Sequence, residues 1–103
     1  MEGRVIWSKK SDDYLERTFM FIAKDSKVYA ERFVTDLILY TEDYFNQDVA
    51  HGRKIPEFED TQLAFLKEII YRGYRIIYDD SYEKNKIYIV LVINGRQSIN
   101  KHI

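Results

Sequence analysis

The chain has 103 residues, a formal net charge of −1 and no cysteine. Such a length makes one domain (1–103) that buries roughly 65% of its unfolded surface, and the lack of cysteine excludes disulfides, thiolate metal sites and cysteine nucleophiles. An apolar content of 46% excludes a disordered chain, no apolar run approaches the ~20 residues of a membrane span, and Glu2, Arg4, Lys9 and Lys10 interrupt any early signal-like stretch, so a cytoplasmic protein is expected.

Residues 4–8, RVIWS, form a short β-favouring run. Ser8 or Ser11 suits the cap of a following helix, and Asp12 and Asp13 suit the positive end of its dipole. Leu15, Thr18, Phe19 and Ile22 then recur at i, i+3, i+4 and i+7, an amphipathic stripe. KDSK breaks that helix, and Ser26 suits the cap of the next. Ala30, Phe33, Val34, Leu37, Thr41, Tyr44 and Phe45 keep helical spacing over about four turns. No proline interrupts either helix, so the two read as a helical hairpin whose aromatic residues belong to the core.

Residues 46–58 are the longest irregular stretch and carry the single proline, Pro56. Beyond them the pattern becomes extended: LAFLKEIIY (63–71), YRIIYDD (74–80) and KIYIVLVI (86–93) are rich in β-branched and aromatic residues. Arg72-Gly73 is a tight link and residues 79–85 a polar hairpin connection, giving three consecutive antiparallel strands. With Val5–Trp7 added as an edge strand, the expected fold is α+β, ordered β-α-α-β-β-β. A helical hairpin packs on a small, mainly antiparallel sheet.

Charge is unevenly spread. Residues 1–50 hold 7 Lys/Arg against 10 Asp/Glu, whereas residues 51–103 hold 9 against 7. The arginines of the second half gather beside glycines: Arg53 after Gly52, Arg72 before Gly73, Arg96 after Gly95. Glycine allows a close backbone approach, and an arginine next to such a bend can be presented to a partner. Equally, surface arginines simply tolerate loops. The overall charge argues against a general nucleic-acid binder. His51, in the polar connector, reads as a solvated loop residue, and two histidines do not make a metal site. Phosphate-loop, His-Glu-x-x-His and Gly-x-Ser-x-Gly motifs are all missing, so neither cofactor nor metal is expected.

The order of these elements, with these residues, resembles the RelE/ParE superfamily of bacterial toxins. The opening strand and two helices, with Ala30 and Phe33 near the start of the second, look like that family's first half. GRKIPEF resembles its connector, LKEIIYRGYRIIYDD its central hairpin, and IYIVLVINGRQ its last strand with a terminal basic residue. The likeness covers nearly the whole chain. It implies the toxin of a two-gene toxin–antitoxin module, held inactive in a hetero-oligomer by a cognate antitoxin whose C-terminal segment wraps it.

Members divide into ribosome-dependent mRNA endonucleases (RelE-like) and DNA gyrase inhibitors (ParE-like). Fold does not choose between them, so the site must. Metal-independent RNA cleavage needs a base for the 2′-hydroxyl, cations for the developing charge and an acid for the leaving oxygen. By resemblance, Arg75 and Arg96 match basic positions of the nucleases, and Glu57 sits where some members place a carboxylate base. Gln97, Ser98 and Ile99 after Arg96 supply no acid near neutral pH. His102 lies at a spacing where some relatives carry a tyrosine, but as the penultimate residue it falls where order is poor.

The sequence therefore leans to a ParE-like toxin that binds DNA gyrase, with Arg53, Arg72, Arg75 and Arg96 as target- or antitoxin-binding residues. A nuclease built on Glu57, Arg75, Arg96 and His102 is the alternative. A non-toxic relative that only binds its antitoxin is another. Arg75 also has a purely structural reading, pairing with Glu68 or Asp79 across neighbouring strands.

Overall fold

The computed structural model describes residues 4–47 and 52–103, so His51 lies outside the described residues. Strand β1 (Val5–Trp7) leads into helix α1 (Lys9–Ala23) and helix α2 (Lys27–Phe45). Serines start both helices. The Ser8 hydroxyl accepts the Ser11 N–H at 3.0 Å, and the Ser26 hydroxyl accepts the Tyr29 N–H at 3.1 Å, each satisfying a donor that the first turn leaves unpaired.

Four further strands follow: β2 (Arg53–Lys54), β3 (Lys67–Tyr71), β4 (Tyr74–Asp79) and β5 (Ile87–Asn94). They form one sheet in the order β1-β5-β4-β3-β2, with β1 parallel to β5 and every other pairing antiparallel. The α+β layering is the expected one, with β1 at one edge. Two details differ. The strand expected over 63–71 begins only at Lys67, because residues 61–66 coil through the bonds Ala64 N–H to Thr61 and Leu66 N–H to Leu63. A two-residue strand, β2, closes the other edge, too short to show an alternating pattern. Arg72 (φ 46°) and Gly73 (φ 83°) both take positive φ, the geometry of a two-residue hairpin turn whose twist matches the strands.

Each face of the sheet carries its own apolar cluster. On the helix face, Leu15, Phe33, Leu37 and Phe45 pack on Ile69, Ile76, Tyr78, Ile89 and Val92. On the opposite face, Ile55 and Phe58 of the connector, with Leu66 and Ile99, cover Ile77, Leu91 and Ile93. A bulge divides the two sets along β5. Ile77 pairs with Leu91 while Tyr78 pairs with Ile89, so Val90 is the extra residue. Thereafter the alternation is reset: Ile87 and Ile89 face the helices, Leu91 and Ile93 the connector. This explains why β5 reads as a continuous apolar run.

Candidate functional site

The connector face holds a chain of charges. Glu68 on β3 and Arg75 on β4 project to this side, and the 3-10 turn Pro56–Phe58 brings Glu57 over them. Both Nη nitrogens of Arg75 donate to the Glu57 carboxylate, each at 2.8 Å, and Arg75 Nε donates to Glu68 Oε1 at 2.6 Å. Arg53 Nε donates to Glu68 Oε2 at 2.8 Å. Glu68 is fully buried, so its two arginines are what make that burial tolerable. Two cations and two carboxylates leave the cluster neutral.

This geometry settles the structural reading of Arg75. It pairs with Glu68, as one expectation had it, and not with Asp79; instead Asp79 accepts from the Ser81 N–H and hydroxyl. The Arg75 side chain is 10% exposed, so it does not stand on an open basic surface. The Arg75 guanidinium, donating to both oxygens of Glu57, holds that carboxyl down at about 2, and Arg75 itself is held above its ordinary range by the same bonds. A general base works best near the operating pH. A carboxylate titrating near 2, with its oxygens already bonded, is a weak one. Burial pushes the Tyr78 phenol up to about 12, and its oxygen accepts the Gly52 N–H at 2.9 Å, which pins the connector to the sheet. A shallow cleft of about 340 Å3 lies over Glu57, Ile70, Gly73, Arg75 and Gly95.

Arg96 and His102 lie elsewhere. They line a second cavity, of about 480 Å3, between α1 and the end of β5. The four residues of the nuclease alternative are thus divided, Glu57 and Arg75 in the connector-side cleft and Arg96 and His102 in this pocket. His102 is not a frayed end. It follows the 3-10 turn Ile99–Lys101, its N–H donates to the Ile99 carbonyl at 3.0 Å, and Ile99 is buried beneath it. The Tyr14 hydroxyl stands 2.9 Å from His102 Nδ1, with the two rings edge to face. Arg17 lies over the ring of that tyrosine, its Cζ 4.4 Å from the centroid. Arg96 is exposed, and its backbone N–H donates to Asn94 Oδ1 at 2.9 Å. Arg72, in the hairpin turn, is exposed with its Cζ 5.5 Å from the Tyr71 ring.

Sequence reasoning missed Arg17 and Tyr14, since their distance in sequence from His102 conceals the contact. It also missed Glu57 as the partner of Arg75, a pairing that depends on how the connector folds back. Among the described residues no cluster of three or more His, Asp or Glu side chains could hold a metal ion. None of their helices is long and apolar enough to cross a membrane.

Comparison with known proteins adds the following. No protein-family model matches the sequence, and no curated protein matches it either. Among solved structures, the chain is similar to one titled "Chromosomal ParDE TA system from P. aeruginosa". The two share 14% identity at a TM-score of 0.63, over 87% of this chain and 92% of that one. At that identity the likeness establishes a shared fold.

Proposed function

We propose that this chain is the toxin of a bacterial toxin–antitoxin module, of the ParE-like kind, which stops growth by binding a target such as DNA gyrase. Its cognate antitoxin neutralises it. The structural likeness to a protein of a ParDE system supports the module. The observation that carries the mode of action is the Glu57–Arg75 pair. The carboxylate that a nuclease of this fold would use as base is spent on an arginine and titrates at about 2, far from a useful pH.

Exposed apolar side chains support the partner. Phe21, Val28, Tyr29 and Leu39, all on the two helices, are each at least 49% exposed, which leaves apolar side chains there for a partner to cover. An antitoxin segment rich in acidic and apolar residues would cover them. Arg72 and Arg96 are the exposed arginines offered to target or antitoxin, with Arg53, 63% exposed at its side chain, reachable beside Glu68.

A ribosome-dependent mRNA endonuclease is the second reading, and one observation favours it: His102 is held in place by Tyr14 in the pocket that Arg96 also lines. Induced expression without the antitoxin, followed by primer extension on cellular mRNA, separates the readings. Growth arrest with intact transcripts is the result expected. Arrest with cuts at ribosomal A sites would establish the endonuclease, and normal growth a non-toxic antitoxin binder.

A further inference from the structure

We propose that the outward face of α2 pairs with the same face of a second copy of this chain, making a weak two-fold symmetric dimer. The inference does not rest on the toxin reading.

Behind it lies a pattern that reads alike from both ends of the helix. Along α2, Val28 and Tyr29 are followed one turn later by Arg32, then by Asp36, and one turn after that by Leu39 and Tyr40. All six are exposed, Val28 at 71% and Leu39 at 58%, whereas Ala30, Phe33, Leu37, Thr41 and Phe45 turn to the core. At 3.6 residues per turn the six make one stripe on the side away from the sheet. Run antiparallel against itself about a point beside Val34, that stripe is self-complementary. Val28 of one copy comes level with Leu39 of the other, Tyr29 with Tyr40, and Arg32 with Asp36. A two-fold axis makes each of these contacts twice, the isologous arrangement of homodimers.

The charges select the occupant. Arg32 and Asp36 stand four residues apart, the spacing at which Lys9 and Asp13 of α1 approach to 3.8 Å, yet neither makes an ion pair with any described residue. Each is open to a charge from outside. A second α2 offers an aspartate opposite the arginine and an arginine opposite the aspartate. The flanking rings are braced: Tyr29 leans on Phe33, centroids 6.1 Å apart, and Tyr40 on Tyr71 at 4.9 Å. Rings held in this way lose little freedom on contact. Asp43 falls opposite the α1–α2 turn, where Lys24, Asp25 and Lys27 together carry one positive charge.

A helix of 19 residues is roughly 28 Å long. One helix pair of that length makes an interface at the small end of the specific range, so the dissociation constant should be on the order of 100 µM. The dimer belongs to the chain without antitoxin, and an antitoxin segment on the same side chains would compete with it.

Sedimentation equilibrium of the full chain, from about 10 µM to about 1 mM, tests the proposal. The weight-average mass should climb from that of the monomer toward twice that value. Arg32→Asp and Asp36→Arg each put like charges at both central contacts, and each should raise the dissociation constant by on the order of tenfold, with circular dichroism unchanged. Mixed in equal amounts, these two variants should associate with each other more tightly than either does with itself, because every central contact is again between opposite charges. A mass that stays monomeric to about 1 mM overturns the proposal and leaves this face to a different partner. Association that neither substitution alters overturns it by placing the contact on another surface, and so does a mixture in which the variants fail to rescue one another.

Discussion

Arg75 is the residue on which sequence and structure differ most usefully. Its position in β4 matched a basic site of nucleases, yet its guanidinium is spent on Glu57 and Glu68. Removing one partner of a buried ion pair leaves the other charge uncompensated. Arg75→Ala leaves the fully buried Glu68 with Arg53 alone, and should lower unfolding free energy by about 3–5 kcal/mol in urea denaturation. Arg96→Ala, at an exposed side chain, should stay within about 0.5 kcal/mol of the parent. Glu57 adds a pH dependence. Its folded pKa, about 2, lies below the ordinary 4.5, so the unfolded chain binds the proton more readily between those values. The stability contributed by Glu57 is therefore complete above 4.5 and is lost as pH falls through about 2. Because 38% of that side chain is exposed, solvent screening limits the effect to about 1 kcal/mol. Glu57→Gln should flatten this acid limb in urea midpoints compared at neutral pH and at about pH 3.

At the scale of elements, the connector after α2 decides what the second face of the sheet presents. Gly52 holds its near end. Its N–H donates to the Tyr78 hydroxyl, and a Cβ there would collide with that hydroxyl and come within 2.7 Å of the Glu68 carbonyl oxygen. Tyr78→Phe should cost about 1–2 kcal/mol by leaving a buried-side N–H unpaired, and Gly52→Ala should cost at least as much. Both should speed proteolysis within residues 52–66, measured against cleavage of the helices. Little of this was legible beforehand. The helices were, because apolar residues at 3.6 spacing and a serine cap report directly on local structure, and Leu15, Ala30, Phe33, Leu37 and Phe45 are buried as that spacing requires. Strands β4 and β5 were also evident from their β-branched runs. Two-residue β2 was not, and Leu63 and Leu66 looked like strand because an apolar residue in a coil packed on the sheet has the same pattern in one dimension. The division of Arg75 from Arg96 was equally hidden. Arg96 lies in the turn past the end of β5, outside the strand alternation that places Arg75, so its side does not follow from the apolar pattern.

For the whole molecule, the structure sets a neutral, internally paired cluster on one face, an acid-free pocket beside α1, and exposed aromatic and aliphatic side chains on the helices. Such a distribution suits a protein that grips partners. If Arg72 and Arg96 reach the target, the double substitution Arg72→Ala/Arg96→Ala should abolish growth arrest on induction while leaving thermal unfolding within a few degrees of the parent. Loss of toxicity accompanied by unfolding would assign those arginines a structural role instead. The decisive measurement is supercoiling by purified gyrase in the presence of the purified chain. Supercoiling should fall, or cleaved DNA accumulate, as the chain is added and recover when the antitoxin is supplied. Undiminished supercoiling at saturating chain, together with transcripts cut on the ribosome, would contradict a toxin that works by binding.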